Sequence, residues 1–133
     1  MISIKNRATN RKMTINSEAV VINAGSKLWI PILLVKPNSI LSWTFTIKDY
    51  NCGFGIANSE KDIEEEYIVP KDYYDADEEV TGSVVIENPG TVYLCWDNSY
   101  SWIRSKTIVY SFSIEQPNDL IEEKHISSAY LIL

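Results

Sequence analysis

The residues that could do chemistry are few, and their types exclude several kinds of active site. The chain of 133 residues has one histidine, His125, and two cysteines, Cys52 and Cys95, which do not form a Cys-x-x-Cys pair. Zinc sites built from four Cys or His ligands lack their ligands, and a Ser-His-Asp site would depend on that single histidine. The two cysteines are interpreted as reduced core residues. The composition therefore favours a binding domain without a cofactor, or an enzyme that uses carboxylates alone.

Carboxylates are concentrated in residues 60–79, which contain ten acidic residues and two lysines. Ca²⁺ prefers six to eight oxygen ligands, so a loop rich in carboxylates is one alternative for a metal site. The spacing does not match an EF-hand, and runs of like charge usually form solvated loops. No pair stands out among the eighteen acids as glycosidase-type catalysts, so we expect no enzymatic activity. The low-ranking metal candidates are Asp72, Asp75, Asp77 and Glu78, with Glu79 beside them.

The net charge of −6 and the pI near 4.7 argue against general nucleic-acid binding, which needs clustered Lys and Arg. The positive charge is concentrated at the start, where residues 1–12 carry four basic residues and no acid. Weak contact with an anionic membrane surface or a lipid headgroup is an alternative use of these charges. The favoured interpretation of residues 1–17 is a flexible, solvated tail.

The segment 97–106, DNSYSWIRSK, is the most informative one. Asp97 and Asn98 are expected to cap backbone groups and to let the chain reverse tightly. Large apolar and basic side chains follow at once, and this composition is typical of an interaction hot spot. For Tyr100, closing the open end of the sandwich is favoured over contact with a partner, and the same interpretation stays open for one of the pair Trp102 and Ile103. The candidate partner-binding residues are Tyr100, Trp102, Ile103, Arg104 and Lys106.

The elements that must position this segment are strands. Residues 40–48 alternate between apolar and polar side chains, and residues 106–114 do the same, which predicts strands with one buried face. Further strands are expected over 18–24 and 27–34 as a hairpin, with Pro31 at a sheet edge, and over 80–87 and 91–97 as a second hairpin. The sum is an all-β, antiparallel, jelly-roll-like β-sandwich of about seven or eight strands.

Two segments are less regular. Gly53 and Gly55 leave one side of a short strand bare, and an aromatic ring from a neighbouring layer filling the space is favoured over a ligand slot. Residues 58–79 are expected to form a long acidic insert, with 67–69 as a further short strand. Residues 117–133 are interpreted as a tail packed on the sandwich, with a short helix near 120–125. The apolar residues 129–133 are expected to add an edge strand, or to be offered to a partner by strand addition.

Two separated stretches also carry a family resemblance. GTVYLCWDNSYSWIRSKTIVYSFSI, residues 90–114, joins a glycine, an aromatic strand, an Asp-Asn-Ser-Tyr-Ser turn, an Arg-Ser-Lys step and an alternating strand. Residues 34–56 place Trp43 and Phe45 two positions apart, and then Gly53-Phe54-Gly55-Ile56. In this order the stretches resemble the closing and opening halves of the GOLD (Golgi dynamics) domain family. Asp97 and Asn98 stand in the family's turn, and the resemblance covers about residues 18–116.

The resemblance implies a β-sandwich that binds other proteins in membrane traffic and catalyses nothing. The luminal members carry a signal peptide, a coiled coil and a membrane anchor, and none of these is visible in this sequence. The chain resembles instead the cytosolic type found in Golgi adaptor and lipid-transfer-type proteins. It is therefore expected to act in the cytoplasm as a small adaptor, peripheral to Golgi or vesicle membranes.

Overall fold

The computed structural model describes residues 11–117, and within them the chain forms nine β-strands and one short 3-10 turn. The strands are β1 Arg11–Asn16, β2 Val20–Ile22, β3 Lys27–Leu34, β4 Ser39–Lys48, β5 Cys52–Ala57, β6 Tyr67–Tyr74, β7 Val80–Ile86, β8 Gly90–Asp97 and β9 Lys106–Gln116, with the 3-10 turn Glu64–Glu66 before β6. No helix in these residues is long and apolar enough to cross a membrane.

The strands form two antiparallel sheets that face each other. The first sheet has the order β1-β9-β4-β7, and β2 also pairs with β9; the second has the order β3-β8-β5-β6. From β2 to β5 and from β6 to β9 each strand lies in the opposite sheet from the strand before it, as in a jelly roll, whereas β1–β2 and β5–β6 each stay within one sheet. The predicted all-β, antiparallel, jelly-roll-like sandwich is therefore confirmed.

The core lies between the sheets because the strands alternate as their sequences indicate. Trp43 and Phe45 on β4 point inward and are 8% and 1% exposed. Phe45 meets two rings of the second sheet, with ring centroids 4.7 Å from Phe54 and 5.5 Å from Trp96. Trp43 lies across Gly82 of β7, where an added Cβ would stand 2.3 Å from its ring. The predicted structural roles of Trp43 and Phe45 thus match their positions in the core.

Both predicted hairpins are wrong. β2 pairs with β9 while β3 pairs with β8, so the turn at residues 23–26 passes from one sheet to the other. The turn at residues 87–89 does the same, because β7 pairs with β4 and β8 belongs to the second sheet. Period-two alternation specifies which face of a strand is buried, but it does not specify the neighbouring strand. The predicted edge position of Pro31 is confirmed, since β3 is an edge strand of the second sheet.

The predicted tail over residues 1–17 is wrong for residues 11–16, which form β1 against β9 and bring the number of strands to nine. All six residues of β1 are exposed, so the strand lacks the alternating burial that β4 shows. Residues 58–66 connect β5 to β6, and the expected strand at 67–69 extends to residue 74. The predictions for 1–10 and 118–133, including the helix, the added edge strand and His125, lie outside the described residues.

Candidate functional site

Four connections meet at one end of the sandwich, and we call this the loop end: residues 23–26, 49–51, 75–79 and 98–105. Backbone hydrogen bonds join two of these connections to each other and hold a third against β4. Asn98 donates to the Ser26 carbonyl at 2.9 Å and its own carbonyl accepts from Gly25 at 3.1 Å. Asp77 donates to the carbonyl of Ile47, at the end of β4, at 2.9 Å. The connection 98–105 therefore stands on a frame formed by its neighbours.

Asn98 is the centre of that frame and is fully buried. Its side-chain amide donates to the carbonyls of Ile22, Asn23 and Arg104 at 3.1, 3.2 and 2.9 Å. Its Oδ1 accepts from Lys106 Nζ at 2.6 Å. One side chain thus joins the end of β2 to both ends of the connection 98–105. The sequence predicted a turn-capping role, and the structure adds this longer-range one.

Lys106 was predicted to contact a partner, and that prediction is wrong. The residue is 2% exposed, and its Nζ lies over the ring of Tyr100, 4.9 Å from the centroid, as well as against Asn98. Burial lowers the pKa of Lys106, and the nearby Arg104 adds to this effect. Lysine is usually exposed unless it is paired. Here its charge is used to hold the base of the connection, so it does not face solvent.

Tyr100 is intermediate between the buried base and solvent, with 40% of its surface exposed. Its hydroxyl lies 2.7 Å from both the carbonyl and the side-chain oxygen of Asn51. Its ring meets Tyr73 edge to face at 5.1 Å. Burial raises the pKa of Tyr100 to about 12, with a smaller contribution from the Cys52 thiol. Tyr100 therefore both covers Lys106 and presents one side of its ring to solvent.

Trp102 and Ile103 form the tip of the connection, and they are 93% and 87% exposed. The backbone on either side is fixed, because Ser101 Oγ donates to the Arg104 carbonyl at 3.0 Å and accepts from the Arg104 amide at 3.2 Å. The Arg104 guanidinium stacks over the ring of Tyr50 at 4.0 Å. The two largest apolar side chains of the connection thus project from a short, hydrogen-bonded turn.

A second polar cluster lies on the outer face of the β3-β8-β5-β6 sheet. Lys71 Nζ contacts Asp97 Oδ2 at 2.5 Å and Asp62 Oδ1 at 2.9 Å, while Lys27 Nζ contacts Asp62 Oδ2 at 2.9 Å. Tyr67 donates to Asp62 at 2.6 Å. We call Lys27, Asp62, Lys71 and Asp97 the ion cluster. It fixes the connection 58–66 across this face, and sequence reasoning missed it by treating Asp62 and Lys71 as parts of a solvated insert.

The ion cluster shifts the pKa of each carboxyl. Burial raises the pKa of Asp97, but the hydrogen bonds from Lys71 and Ser99 outweigh it and hold the pKa below its usual value. The same balance lowers the pKa of Asp62, where Tyr67, Lys71 and Lys27 supply the bonds. Asp97 Oδ1 also accepts from the Ser99 amide at 2.8 Å, which confirms its predicted role as a turn cap.

The paired glycines of β5 accommodate aromatic rings, but the prediction that these rings come from a neighbouring layer is wrong. A Cβ at Gly55 would stand 2.9 Å from the Tyr67 ring, and one at Gly53 would stand 3.2 Å from Tyr73. The rings come from the neighbouring strand β6 and not from the facing sheet. Cys52 and Cys95 are both buried and unpaired, and burial raises their pKa values to about 12 and about 11.

The acidic metal candidates do not converge. Within residues 11–117 no three acidic, histidine or cysteine side chains form a group that could hold a metal ion. Each candidate carboxylate is exposed, either on β6 or in the connection 75–79, and these residues are Asp72, Asp75, Asp77 and Glu78. The arrangement offers dispersed negative charge beside the loop end.

No known family model matches this chain, so the resemblance to GOLD domains stays a prediction. Among solved structures, the chain is similar to part of tripeptidyl peptidase 2, with a TM-score of 0.55 and 9% identity over 76% of this chain. It spans only 10% of the length of that protein. It is also similar to an endospore appendage protein of Bacillus, with a TM-score of 0.50 and 10% identity over 84% of this chain and 95% of that one. At such identities the similarities show the fold alone.

Proposed function

We propose that this chain is a non-enzymatic domain that binds another protein through the tip of the connection 98–105. The single observation that carries the proposal is the near-complete exposure of Trp102 and Ile103, at 93% and 87%. Tryptophan is enriched among the residues that dominate binding free energies, because it buries a large area at one point. Solitary exposed apolar residues are common, but two adjacent ones on a fixed turn form a compact anchor.

The neighbours of the tip support the proposal. Two further aromatic residues near the tip are exposed, Tyr50 at 52% and Tyr73 at 51%. Tyr50 stacks under the Arg104 guanidinium, and Tyr73 packs edge to face against the ring of Tyr100. Tyr, Trp and Arg are the residue types that hot spots favour. The turn is also held in place before any partner arrives, so little conformational entropy is lost when it binds.

The cellular part of the proposal is a cytoplasmic adaptor role in Golgi or vesicle traffic. It depends on the resemblance of residues 34–56 and 90–114 to GOLD domains. This resemblance suggests the cellular role but does not identify the residues that contact a partner. Its test is the identity of the native partner. A partner with no place in membrane traffic would contradict this part and leave the binding surface unaffected.

The binding surface is tested with the double variant Trp102→Ser, Ile103→Ser. We expect the partner captured by the wild-type chain from the native cell to bind the double variant at least about 30-fold more weakly, the equivalent of about 2 kcal/mol for a hot spot. Leu33→Ser is the matched control, because Leu33 is also an exposed apolar residue, at 65%, but lies on β3. Undiminished binding by a folded double variant would contradict the proposal.

A further inference from the structure

We propose that the partner surface that receives the tip is basic: a protein segment in which an apolar side chain or pocket is flanked by Lys and Arg. This inference rests on the proposed function and adds the charge of the partner. It follows from what surrounds the tip at the loop end.

Carboxylates lie at the same end of the sandwich as the tip, in and beside the connections 49–51 and 75–79. The backbone bond from Asp77 to Ile47 places the connection 75–79 beside the end of β4. Cys52 pairs with Tyr74, so Asp75 begins the connection level with Asn51, the residue to which Tyr100 bonds. We call the exposed acids here the acidic rim, and they are Asp49, Asp72, Asp75, Asp77, Glu78 and Glu79.

The basic residues near the rim do not balance it. Lys106 is buried against Asn98, and Lys27 and Lys71 are paired with the carboxylates of the ion cluster. Within residues 11–117, two exposed basic residues without a carboxylate partner, Lys48 and Arg104, lie in or next to the loop end, against the six carboxylates of the acidic rim. The apolar tip therefore projects from a surface of net negative charge.

That combination favours one kind of partner. Opposite charge around an apolar contact speeds association and rejects partners of the same charge. An anionic lipid surface would be repelled by the acidic rim, whereas tips that insert into such membranes are flanked by Lys and Arg. A basic protein segment meets both parts of the surface, because its apolar group covers Trp102 and its cations face the carboxylates.

The probe for the test is a random peptide library, selected on the wild-type chain and counter-selected on Trp102→Ser. We expect peptides that require Trp102 to carry net positive charge. Their affinity should fall at least about five-fold between about 50 and about 300 mM NaCl, because salt screens the exposed carboxylates of the rim. The triple variant Asp75→Asn, Asp77→Asn, Glu78→Gln should weaken binding by a similar factor.

The control removes one carboxylate at the opposite end of the sandwich, with Glu87→Gln, because Glu87 is exposed between β7 and β8 and the whole of β7 separates it from the connection 75–79. It should alter affinity less than about two-fold, since exposed charges separated by more than a Debye length are largely screened. A Glu87→Gln effect as large as the effect of the rim variant for each charge removed would overturn the inference, because the position of the rim would then not matter.

The remaining outcomes separate the inference from the proposed function. Trp102-dependent peptides that are neutral or acidic, and insensitive to the rim variant, would overturn the basic partner and leave a protein-binding tip. Selection of only Trp102-independent peptides would overturn both. Binding to phosphatidylcholine vesicles that contain phosphatidylserine, abolished by Trp102→Ser, would also overturn both, since the tip would then be a membrane contact.

Discussion

The base and the tip of the connection 98–105 differ in a way that reverses ordinary burial. At the base, Asn98 and Lys106 are polar and buried, 0% and 2% exposed. At the tip, Trp102 and Ile103 are apolar and are 93% and 87% exposed. Buried polar residues and exposed adjacent apolar ones are each unusual in a small domain. The comparison separates the residues that fix the loop from those it leaves for another molecule.

The reason for the polar base is the number of backbone groups that the four connections bring together. Their carbonyls at Ile22, Asn23 and Arg104 need donors, and the Asn98 amide supplies them. An apolar residue in its place could fill the volume but would leave these oxygens unpaired. The tip needs no such partners, because its backbone is held by Ser101 and its side chains face water.

The largest expected effect comes from removing the centre of the base. Asn98→Ala leaves carbonyl groups and the Lys106 ammonium without their partner, and each buried unpaired group costs about 1–3 kcal/mol. We expect the free energy of unfolding, measured by urea denaturation, to fall by about 4 kcal/mol. Asn58→Ala, at an exposed position, is the control and should change it by less than about 0.5 kcal/mol. A loss below about 1 kcal/mol for Asn98→Ala would mean that the base does not depend on this side chain.

This difference also marks how far the sequence could lead. The tip could be predicted only in part, because the turn at Asp97 and Asn98 and the apolar residues after it are visible in the sequence, whereas the choice between packing and exposure for Trp102 depends on distant residues. The burial of Lys106 could not, because lysine is ordinarily exposed and its acceptor is available only once Asn98 turns inward. The ion cluster was missed for the same reason, since Lys27, Asp62 and Asp97 belong to three separate elements.

The fold shows the same limit. Alternation over β4 and β9 predicted the strands and their buried faces, because each strand carries that pattern in its own sequence. The strands with which β3 and β8 pair depend on whether the turn before each strand stays in one sheet or crosses to the other. A short break between two strand patterns looks the same in the sequence in both cases. β1 escaped notice because neither of its faces is buried.

An intermediate effect is expected at the ion cluster, which contains Asp97, the residue next to Asn98. Lys71→Met removes the cation from Asp97, and we expect it to lower the free energy of unfolding by about 2 kcal/mol at neutral pH, less than for a fully buried pair because Lys71 is partly exposed. The pKa values of Asp62 and Asp97 are lower in the folded protein than in the unfolded chain, where an aspartate pKa is about 4. The ionised carboxylates therefore stabilise the fold above that pH, and this stabilisation is lost as the pH falls toward the folded pKa values. The difference between wild type and variant should therefore shrink below about pH 4.

Urea denaturation at a series of pH values measures this difference. Lys61→Met is the matched control, because Lys61 is exposed and makes no ion pair within residues 11–117. Its effect should stay within about 0.5 kcal/mol at every pH. A Lys71→Met effect that is equally large in acid would show that packing of the lysine stem, and not its charge, stabilises the cluster.

The smallest expected effect lies at the tip. A side chain that is 93% exposed in the native state gains almost no transfer free energy on folding, so truncating it removes almost none. The double variant Trp102→Ser, Ile103→Ser should change the free energy of unfolding by less than about 0.5 kcal/mol, while it weakens partner binding at least about 30-fold. Loss of more than about 1 kcal/mol would contradict the comparison, since it would give the tip a role in holding the fold that no contact within residues 11–117 explains. If Asn98 and Lys106 stabilise the fold and Trp102 and Ile103 only bind a partner, the double variant must lose binding while its stability stays nearly unchanged.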